Sequence, residues 1–155
     1  MAKNVYLTLT ANDQTIEGGS EVESMERWGT IECVHFEHIL RRSVDSRGTS
    51  EDHARLETLK FVKPIDVATP LLQRAFEAAE VLQATFRFYE PWTESGEIQS
   101  FTIEVENAYM TSIEMESRSG DTPAYESIEL VAETVTYTYT GDGTSHRTGS
   151  LRSSR

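Results

Sequence analysis

The sequence predicts a mainly β fold in which two packed antiparallel sheets form a β-barrel with one short α-helix. Three observations predict this fold. Apolar and polar residues alternate along about seven short segments, which is the pattern of half-buried strands. Short turns separate several neighbouring segments, which favours antiparallel pairing. Apolar residues recur at helical spacing in a single stretch, at about residues 70–80.

The N-terminal part of the chain is predicted to hold two strands and a long loop. Val5, Leu7 and Leu9 alternate with polar residues in the first strand. Residues 11–26 are polar, acidic and contain glycine, so they are expected to form a surface loop. Residues 28–41 are expected to form the second strand. Its core face would hold Val34, Phe36 and Leu40, and its other face Cys33, His35, Glu37 and Ile39.

A third strand, from residue 56, ends at a sharp corner that leads into the helix. Pro64 fixes its own φ and favours extended backbone in the residue before it, and Asp66 follows in the same corner. Thr69 is expected to cap the helix and Pro70 to occupy its first position, where a missing N–H costs nothing. The apolar stripe of the helix consists of Leu71, Leu72, Ala75, Phe76 and Ala79.

Four strands are predicted after the helix, at residues 82–89, 99–105, 109–115 and 125–140. In the last strand the inward-facing residues change from even to odd positions near residue 131, which indicates a bulge or a passage between sheets. Residues 1–140 are therefore expected to form one domain. Residues 141–155 are rich in Gly, Ser, Thr and Arg and are expected to form a flexible basic tail.

Composition excludes several classes of protein. The net charge of −12 argues against a nucleic-acid-binding protein, which would hold phosphates with basic patches. No apolar run approaches the roughly 18 residues of a membrane span, so no membrane insertion is expected. The N-terminus lacks the pattern of a signal peptide, which predicts a protein made in a cytoplasm-like compartment. The single cysteine, Cys33, excludes an internal disulfide.

The residues suggest little catalytic chemistry. Cys33, His35 and Glu37 would share one strand face and could bind a metal ion, but no second group of ligands accompanies them. A polar strand face or a subunit contact is the preferred interpretation. The chain contains no glycine-rich phosphate loop, no G-x-S-x-G motif and no Cys-x-x-Cys pair. We therefore expect a non-enzyme without a cofactor.

Several segments resemble the Hcp (haemolysin-coregulated protein) family, the tail-tube proteins of the bacterial type VI secretion system. The likeness covers roughly residues 5–139, and the K-P-I-D-x-x-T-P corner is its most specific part. The segments that carry it are IECVHFEH at 31–38, KPIDVATPLL at 63–72, ATFRFY at 84–89, IEVENAYMTSI at 103–113 and ESIELV at 126–131.

The resemblance implies an architecture and a set of partners. Six copies would form a ring with a central channel, and stacked rings would form a tube carrying small effectors. The tube would be exported with a VgrG-type spike protein at its tip, with sheath proteins as further partners. Such a protein would begin in the cytoplasm and be secreted by the type VI system without a cleaved signal peptide.

The resemblance also assigns roles to residues. His35 and Glu37 correspond to the strand that lines the channel. The segment 43–54 corresponds to an extended loop that contacts neighbouring subunits, and it is long enough to be functional in its own right. Its candidates for ring or stacking contacts are Asp45, Arg47, Glu51 and Asp52. Pro64, Asp66, Thr69 and Pro70 are the structural corner and helix cap, and His38 is expected to be a hydrogen-bonded structural residue.

Two other functions stay open on the residues alone. A monomeric β-barrel could bind a small ligand in its interior. A metal-dependent enzyme could use Cys33, His35 and Glu37. The mass of the protein in solution and its metal content would separate these functions from a ring subunit.

Overall fold

The computed structural model describes residues 4–44, 47, 50–92, 96–117, 119–120, 124–140 and 143–147; within these ranges, side chains are not described at 42–44, 50–56 and 92. The described residues form nine strands, one α-helix and one short 3₁₀ helix at Ser24–Glu26. The strands are β1 Asn4–Ala11, β2 Gln14–Ile16, β3 Ile31–Cys33, β4 His35–Val44, β5 Ser50–Pro64, β6 Leu82–Trp92, β7 Gly96–Glu116, β8 Tyr125–Tyr139 and β9 Ser145–Arg147, and the helix is α1 Thr69–Glu77.

All the strand pairs are antiparallel and belong to one curved sheet with the order β2-β1-β6-β7-β8-β5-β4. β3 pairs with β1, β4 pairs with β5, and only Val34 separates β3 from β4. The backbone N–H of Val34 donates to the carbonyl oxygen of Val62 at 2.8 Å. Residues 31–44 therefore connect the β1 side of the sheet to the β5 side, which gives the fold its barrel-like form.

Aromatic side chains fill the interior between the two halves of the sheet. The ring of Phe86 on β6 lies 4.7 Å from that of Phe36 on β4 and 5.5 Å from that of Phe61 on β5. Because β7 and β8 separate β6 from β5 in the sheet order, these contacts cross the core. The predicted mainly β, antiparallel fold with one helix is confirmed, and its two packed layers belong to one continuous sheet.

The helix packs through a narrower stripe than predicted. Leu72 and Ala75 are buried, whereas Phe76 is exposed. The helix ends at Glu77 rather than at residue 80, because Ala79 adopts a left-handed conformation with φ of 49°. The N–H of Glu80 then donates to the carbonyl of Ala75 and closes the helix end.

The predicted second strand at 28–41 is two strands, and the prediction of its core face was partly wrong. Val34 is 54% exposed because the chain passes from β1 to β5 at this residue. Leu40 is also exposed, since β4 is the last strand of the sheet order. Phe36 packs against the core as predicted.

Two strands predicted at 99–105 and 109–115 are instead one long strand, β7. Asn107 interrupts its regular geometry with φ of 53°, and the amides of Asn107 and Gln83 bond to each other at 2.9 Å. The phase shift predicted in the last strand is present but lies at Thr134 and Val135, which are both buried. The alternation of apolar and polar residues is interrupted at these positions, but the strands continue through them.

Short strands also occur where the sequence predicted loop or tail. β2 pairs with β1 through a tight turn at Asn12 and Asp13, both with positive φ, which these residue types tolerate. β9, within the expected flexible tail, pairs with β8. In the described part of the chain, no helix has the length and apolar character needed to cross a membrane.

Candidate assembly site

A two-stranded arm extends beyond the body of the sheet. β4 and β5 pair from His35 and Val62 out to Val44 and Ser50. The pairing of β5 with β8, in contrast, stops at Leu59. Residues 39–44 and 50–58, which we call the hairpin arm, therefore form a ribbon that β8 does not support. An isolated two-stranded ribbon is marginally stable, so such an arm favours contact with another surface.

The hairpin arm corresponds to the segment predicted as an irregular loop at 43–54. That prediction was wrong in conformation, because β4 continues to Val44 and β5 begins at Ser50. Asp45 lies outside the described residues. Arg47 is exposed at the turn, and Glu51 and Asp52 belong to β5, with side chains that are not described. Their contacts with neighbouring subunits stay a prediction.

A buried polar cluster lies at the base of the arm. Nε2 of His38 lies 2.9 Å from Oε1 of Glu57, and both side chains are buried. The Tyr137 hydroxyl is 3.5 Å from the same imidazole nitrogen, and the two rings are stacked. This cluster joins β4, β5 and β8 where the arm leaves the sheet. The structural role predicted for His38 agrees with this geometry.

His35 and Glu37 lie on the outer face of β4. Their side chains are exposed, and Nε2 of His35 is 3.8 Å from the Glu37 carboxylate. Both are therefore available to whatever this face lines in an assembly. That they line a channel stays a prediction, because a channel forms only when several copies assemble into a ring.

The row of Cys33, His35 and Glu37 proposed as a metal site does not exist as one face. The break at Val34 turns Cys33 into the core, while His35 and Glu37 stay outside. Burial raises the pKa of the Cys33 thiol well above its ordinary value. No group of three or more His, Cys, Asp or Glu side chains in the described residues could hold a metal ion.

The corner before the helix is built around a buried lysine. Nζ of Lys63 donates to Oε1 of Glu126 at 2.8 Å, and it lies 2.7 Å from Oδ1 of Asp66. Nζ also donates to the carbonyl of Pro64 and to Oγ1 of Thr69. Local sequence patterns did not predict this cluster, because Glu126 lies on β8, far away in the sequence. One local indication of a buried lysine was present: Lys63 follows Leu59 and Phe61 at the alternate positions of β5 that face the core.

The capping role predicted for Thr69 was wrong. Ala68 is the N-cap, and Thr69 is the first helical residue. Oγ1 of Thr69 accepts from the N–H of Asp66 at 3.1 Å, while Oδ1 of Asp66 accepts from the N–H of Ala68 at 2.9 Å. Pro70 is the second helical residue, one position later than predicted, and still lies in the first turn.

The corner is also tied to the loop that follows β2. Oδ2 of Asp66 accepts from the N–H of Gly19 at 2.9 Å. A β-carbon at Gly19 would lie 3.2 Å from Cβ of Asp66, so a larger residue there would press on the corner. Asp66 therefore fixes the helix start and the loop together.

A second buried cation, Arg27, holds the same loop on the sheet. Its guanidinium carbon lies 5.0 Å from the ring centroid of Tyr6 and 4.5 Å from that of Tyr89, and Nη1 lies 2.6 Å from the Glu97 carboxylate. Burial raises the pKa of both tyrosines. Trp28, the next residue, is 62% exposed. In the sequence, Arg27 directly follows the polar, acidic segment 11–26 that was expected to form a surface loop, so no local pattern indicated its burial.

Exposed apolar side chains lie at one end of the sheet. Ile65 and Val67 belong to the corner after β5, and Met115 is near the end of β7. The pairing of Pro64 with Tyr125 and of Tyr125 with Glu116 brings these segments to the same end. We call Ile65, Val67 and Met115 the apolar end patch. A contact made at this end of the sheet would bury these side chains.

In its described residues, the protein is therefore a barrel-like β protein without a metal-binding cluster. It carries an extended hairpin arm, an exposed apolar end patch and a polar outer strand face. The sequence model of the family described as "Type VI secretion system effector, Hcp" matches residues 6–140. The chain belongs to this family, which confirms the resemblance found in its sequence.

Solved structures agree with this family. The Hcp1 protein from E. coli EAEC 042 is 29% identical, with a TM-score of 0.84, and the alignment covers 96% of this chain and 99% of that one. The secreted protein Hcp3 from Pseudomonas aeruginosa has a TM-score of 0.73 at 18% identity, over 98% and 100% of the two chains. Hcp1 from Salmonella typhimurium has a TM-score of 0.72 at 18% identity, and the alignment covers 95% of this chain and 93% of that one. Among curated proteins, none matches the chain.

Proposed function

We propose that this protein is the tube subunit of a type VI secretion system and forms hexameric rings that stack into an exported tube. The observation that carries the proposal is the hairpin arm, in a chain whose residues 6–140 match the Hcp family. In a single copy, β8 does not support the ribbon of the hairpin arm. In an assembly, a neighbouring copy would provide the surface on which this ribbon packs.

The geometry of the arm suits a contact between subunits. Ser50 and residues 55–58 of β5 pair with β4, no residue from 50 to 58 pairs with β8, and at about 3.3 Å per residue this segment spans about 30 Å. An arm of this length reaches a neighbouring copy in a ring or in the next ring. Asp45, Arg47, Glu51 and Asp52 would make these contacts, and the apolar end patch offers a second contact surface.

The channel and the other partners follow from the same function. His35 and Glu37, which are exposed on β4, would line the channel and contact small effectors. A VgrG-type spike and sheath proteins would be the partners at the tip and outside of the tube. The protein would act without catalysis and leave the cell through the apparatus, without a cleaved signal peptide.

Native mass spectrometry combined with negative-stain electron microscopy tests the assembly. A six-copy species visible as a ring with a central hole is the expected result. A clean monomer across a range of protein concentrations would contradict ring assembly.

A shortened arm tests the contact surface. Arg42 pairs directly with Arg55, so residues 43–54 can be replaced by Asn-Gly, the sequence favoured in two-residue hairpin turns. We expect this variant to keep the circular dichroism spectrum of the parent and to lose rings, because the barrel core is untouched. The control is Gln73→Ala, which is exposed on α1 outside the arm and is expected to keep rings at parental abundance. Rings at parental abundance in the shortened variant would contradict the role of the arm.

A ligand-binding barrel is less well supported. The interior that a small ligand would need is occupied by aromatic contacts, with ring centroids 5.4 Å apart for Phe36 and Phe88 and 5.7 Å apart for Phe88 and Phe101. Because aromatic side chains pack closely in the interior, we expect the protein to act through its surface.

A further inference from the structure

Four neighbouring strands build one surface that points away from the core. The exposed side chains of His35 and Glu37 lie on it. Directly paired residues of antiparallel strands point to the same side of a sheet, so the pairing of β4 with β5, β5 with β8 and β8 with β7 extends this surface. We call the outward side chains of residues 35–37, 60–62, 125–129 and 112–116 the wall face. In the proposed ring it lies along the channel, because His35 and Glu37 belong to it.

One lysine of the wall face lies between two glutamates. Lys60 on β5 pairs directly with Glu37 on β4 and with Glu129 on β8. Opposite charges at directly paired positions attract, so the ammonium group offsets part of the charge of its two neighbours. This row of the wall face keeps one carboxylate in excess.

Two more carboxylates of the wall face lie opposite neutral side chains. Glu114 on β7 pairs with Ser127, and Glu116 pairs with Tyr125. Both glutamates are exposed. With the imidazole of His35 neutral, the wall face therefore carries four carboxylates against one ammonium group, which is a net charge of −3.

Apolar surface lies beside these carboxylates. Val62 and Tyr125 are half-buried, so part of each side chain is exposed on the wall face. Arginine and lysine side chains combine an apolar stem with a cationic end, and a guanidinium group also stacks on aromatic rings. A basic side chain can therefore pack its stem on Val62 or Tyr125 while its charge meets Glu114 or Glu116.

The symmetry of a ring repeats this charge. In a closed ring every copy presents the same face at the same height, so each carboxylate becomes part of a circle of like charges. A passage lined by one sign of charge concentrates groups of the opposite sign and repels groups of the same sign. The wall face thus acts on the charge of whatever enters the channel.

We propose that the wall face selects basic proteins as the cargo of the tube, through arginine and lysine side chains that pair with Glu114, Glu116 and Glu129. The inference rests on the proposed ring function and adds to it the chemical class of the effectors. Acidic proteins are repelled from the same channel.

Two variants with equal charge test the role of the wall face. The wall variant, Glu114→Gln with Glu129→Gln, removes two carboxylates from this face. The control variant, Glu17→Gln with Glu104→Gln, removes two exposed carboxylates that lie elsewhere. The probe is a fluorescent peptide of Arg-Gly-Ser repeats, and fluorescence anisotropy at low salt measures its binding. We expect the wall variant to bind the peptide about tenfold more weakly than the parent and the control variant to bind like the parent.

Native mass spectrometry of the same samples reports ring formation independently of binding. Rings of the wall variant with the peptide affinity of the parent would overturn the inference and leave the proposed function intact. An equal loss of affinity in both variants would also overturn it, because net charge alone would then attract the peptide. A monomer in every sample would contradict the proposed function, and the inference would fall with it.

A disulfide trap tests where the peptide binds. Ser127 and Thr136 are both half-buried on β8, and each lies opposite a glutamate of β7, but only Ser127 belongs to the wall face. Ser127→Cys and Thr136→Cys are each oxidised with an Arg-Gly-Ser peptide that carries one terminal cysteine. We expect the peptide to link faster to the Ser127→Cys protein on a non-reducing denaturing gel. Equal rates, or a faster reaction of Thr136→Cys, would place the peptide elsewhere and overturn the inference.

Discussion

Lys63 occupies a core-facing position and carries a charge, so its energetics depend on the groups around its ammonium nitrogen. Glu126, Asp66, Thr69 and the carbonyl of Pro64 all lie within hydrogen-bonding distance of Nζ. Desolvation of two charges offsets much of their attraction, so the pair mainly specifies how the corner is built. The same group becomes costly when one partner is removed.

The first residue-scale prediction concerns this pair. Glu126→Ala is expected to lower the free energy of unfolding by about 1.5–3 kcal/mol, because it removes one of the two carboxylates that pair with the buried ammonium group of Lys63. Glu126→Gln keeps a hydrogen-bond acceptor of the same shape and is expected to cost less. Urea unfolding at fixed protein concentration measures both. A loss below about 1 kcal/mol for Glu126→Ala would show that the corner does not depend on the pair.

The second residue-scale prediction concerns pH. Burial raises the pKa of the Cys33 thiol above its ordinary value of 9.0, so the folded protein keeps a proton that the unfolded chain releases. The stabilisation is complete below pH 9 and declines as the pH rises above it, by about 1.4 kcal/mol per pH unit. Urea unfolding at about pH 8 to pH 10 is expected to show this decline in the parent and a flatter profile in Cys33→Ala. Parallel profiles would contradict it.

At the scale of elements, strand ends and bulges decide where pairing stops. β4 and β5 stay paired beyond the point where β8 leaves them, which turns a predicted loop into the hairpin arm. Asn107 kinks β7 without ending it. Helix α1 likewise ends at Glu77, two residues before the left-handed Ala79, although the helical spacing of apolar residues continues to Ala79.

The element-scale prediction uses this helix end. Ala79→Gly is expected to stabilise the protein by about 1 kcal/mol, because glycine adopts positive φ without the steric cost that alanine pays. Ala78 has a negative φ of −84° and is the matched control, since glycine there is expected to destabilise. Thermal unfolding followed by circular dichroism compares the two variants. Equal shifts in both would mean that the left-handed conformation carries no strain.

At the scale of the whole molecule, charge opposes self-assembly. The chain carries −12, and residues 141–155 contribute +2 to that total, which leaves −14 on residues 1–140. Copies of such a protein repel one another at low ionic strength. Contacts through the hairpin arm and the apolar end patch have to overcome that repulsion.

The whole-molecule prediction follows from this repulsion. The fraction of protein in rings is expected to rise as sodium chloride increases from about 20 mM to about 300 mM, because the Debye length falls over this range. Light scattering after size exclusion at constant protein concentration measures the fraction. Sucrose at matched osmolality is the control, and a ring fraction that falls with salt would indicate that ion pairs dominate the interface.

The sequence by itself determined the β class, the positions of most strands, the single helix, the corner at Pro64 and the family. These depend on local alternation, turn residues and a specific motif, which are all readable along the chain. The roles of His35, Glu37, Asp45, Arg47, Glu51 and Asp52 stay predictions, because they concern contacts between copies.

Only the tertiary structure decided which residues meet. The partners Lys63 and Glu126 are far apart in the sequence, and so are Arg27 and Tyr89. Local patterns carry no information on such pairs, since distant segments become neighbours only when the sheet curves. The break at Val34, which buries Cys33 and exposes His35, has the same origin: successive residues pair with opposite sides of the sheet.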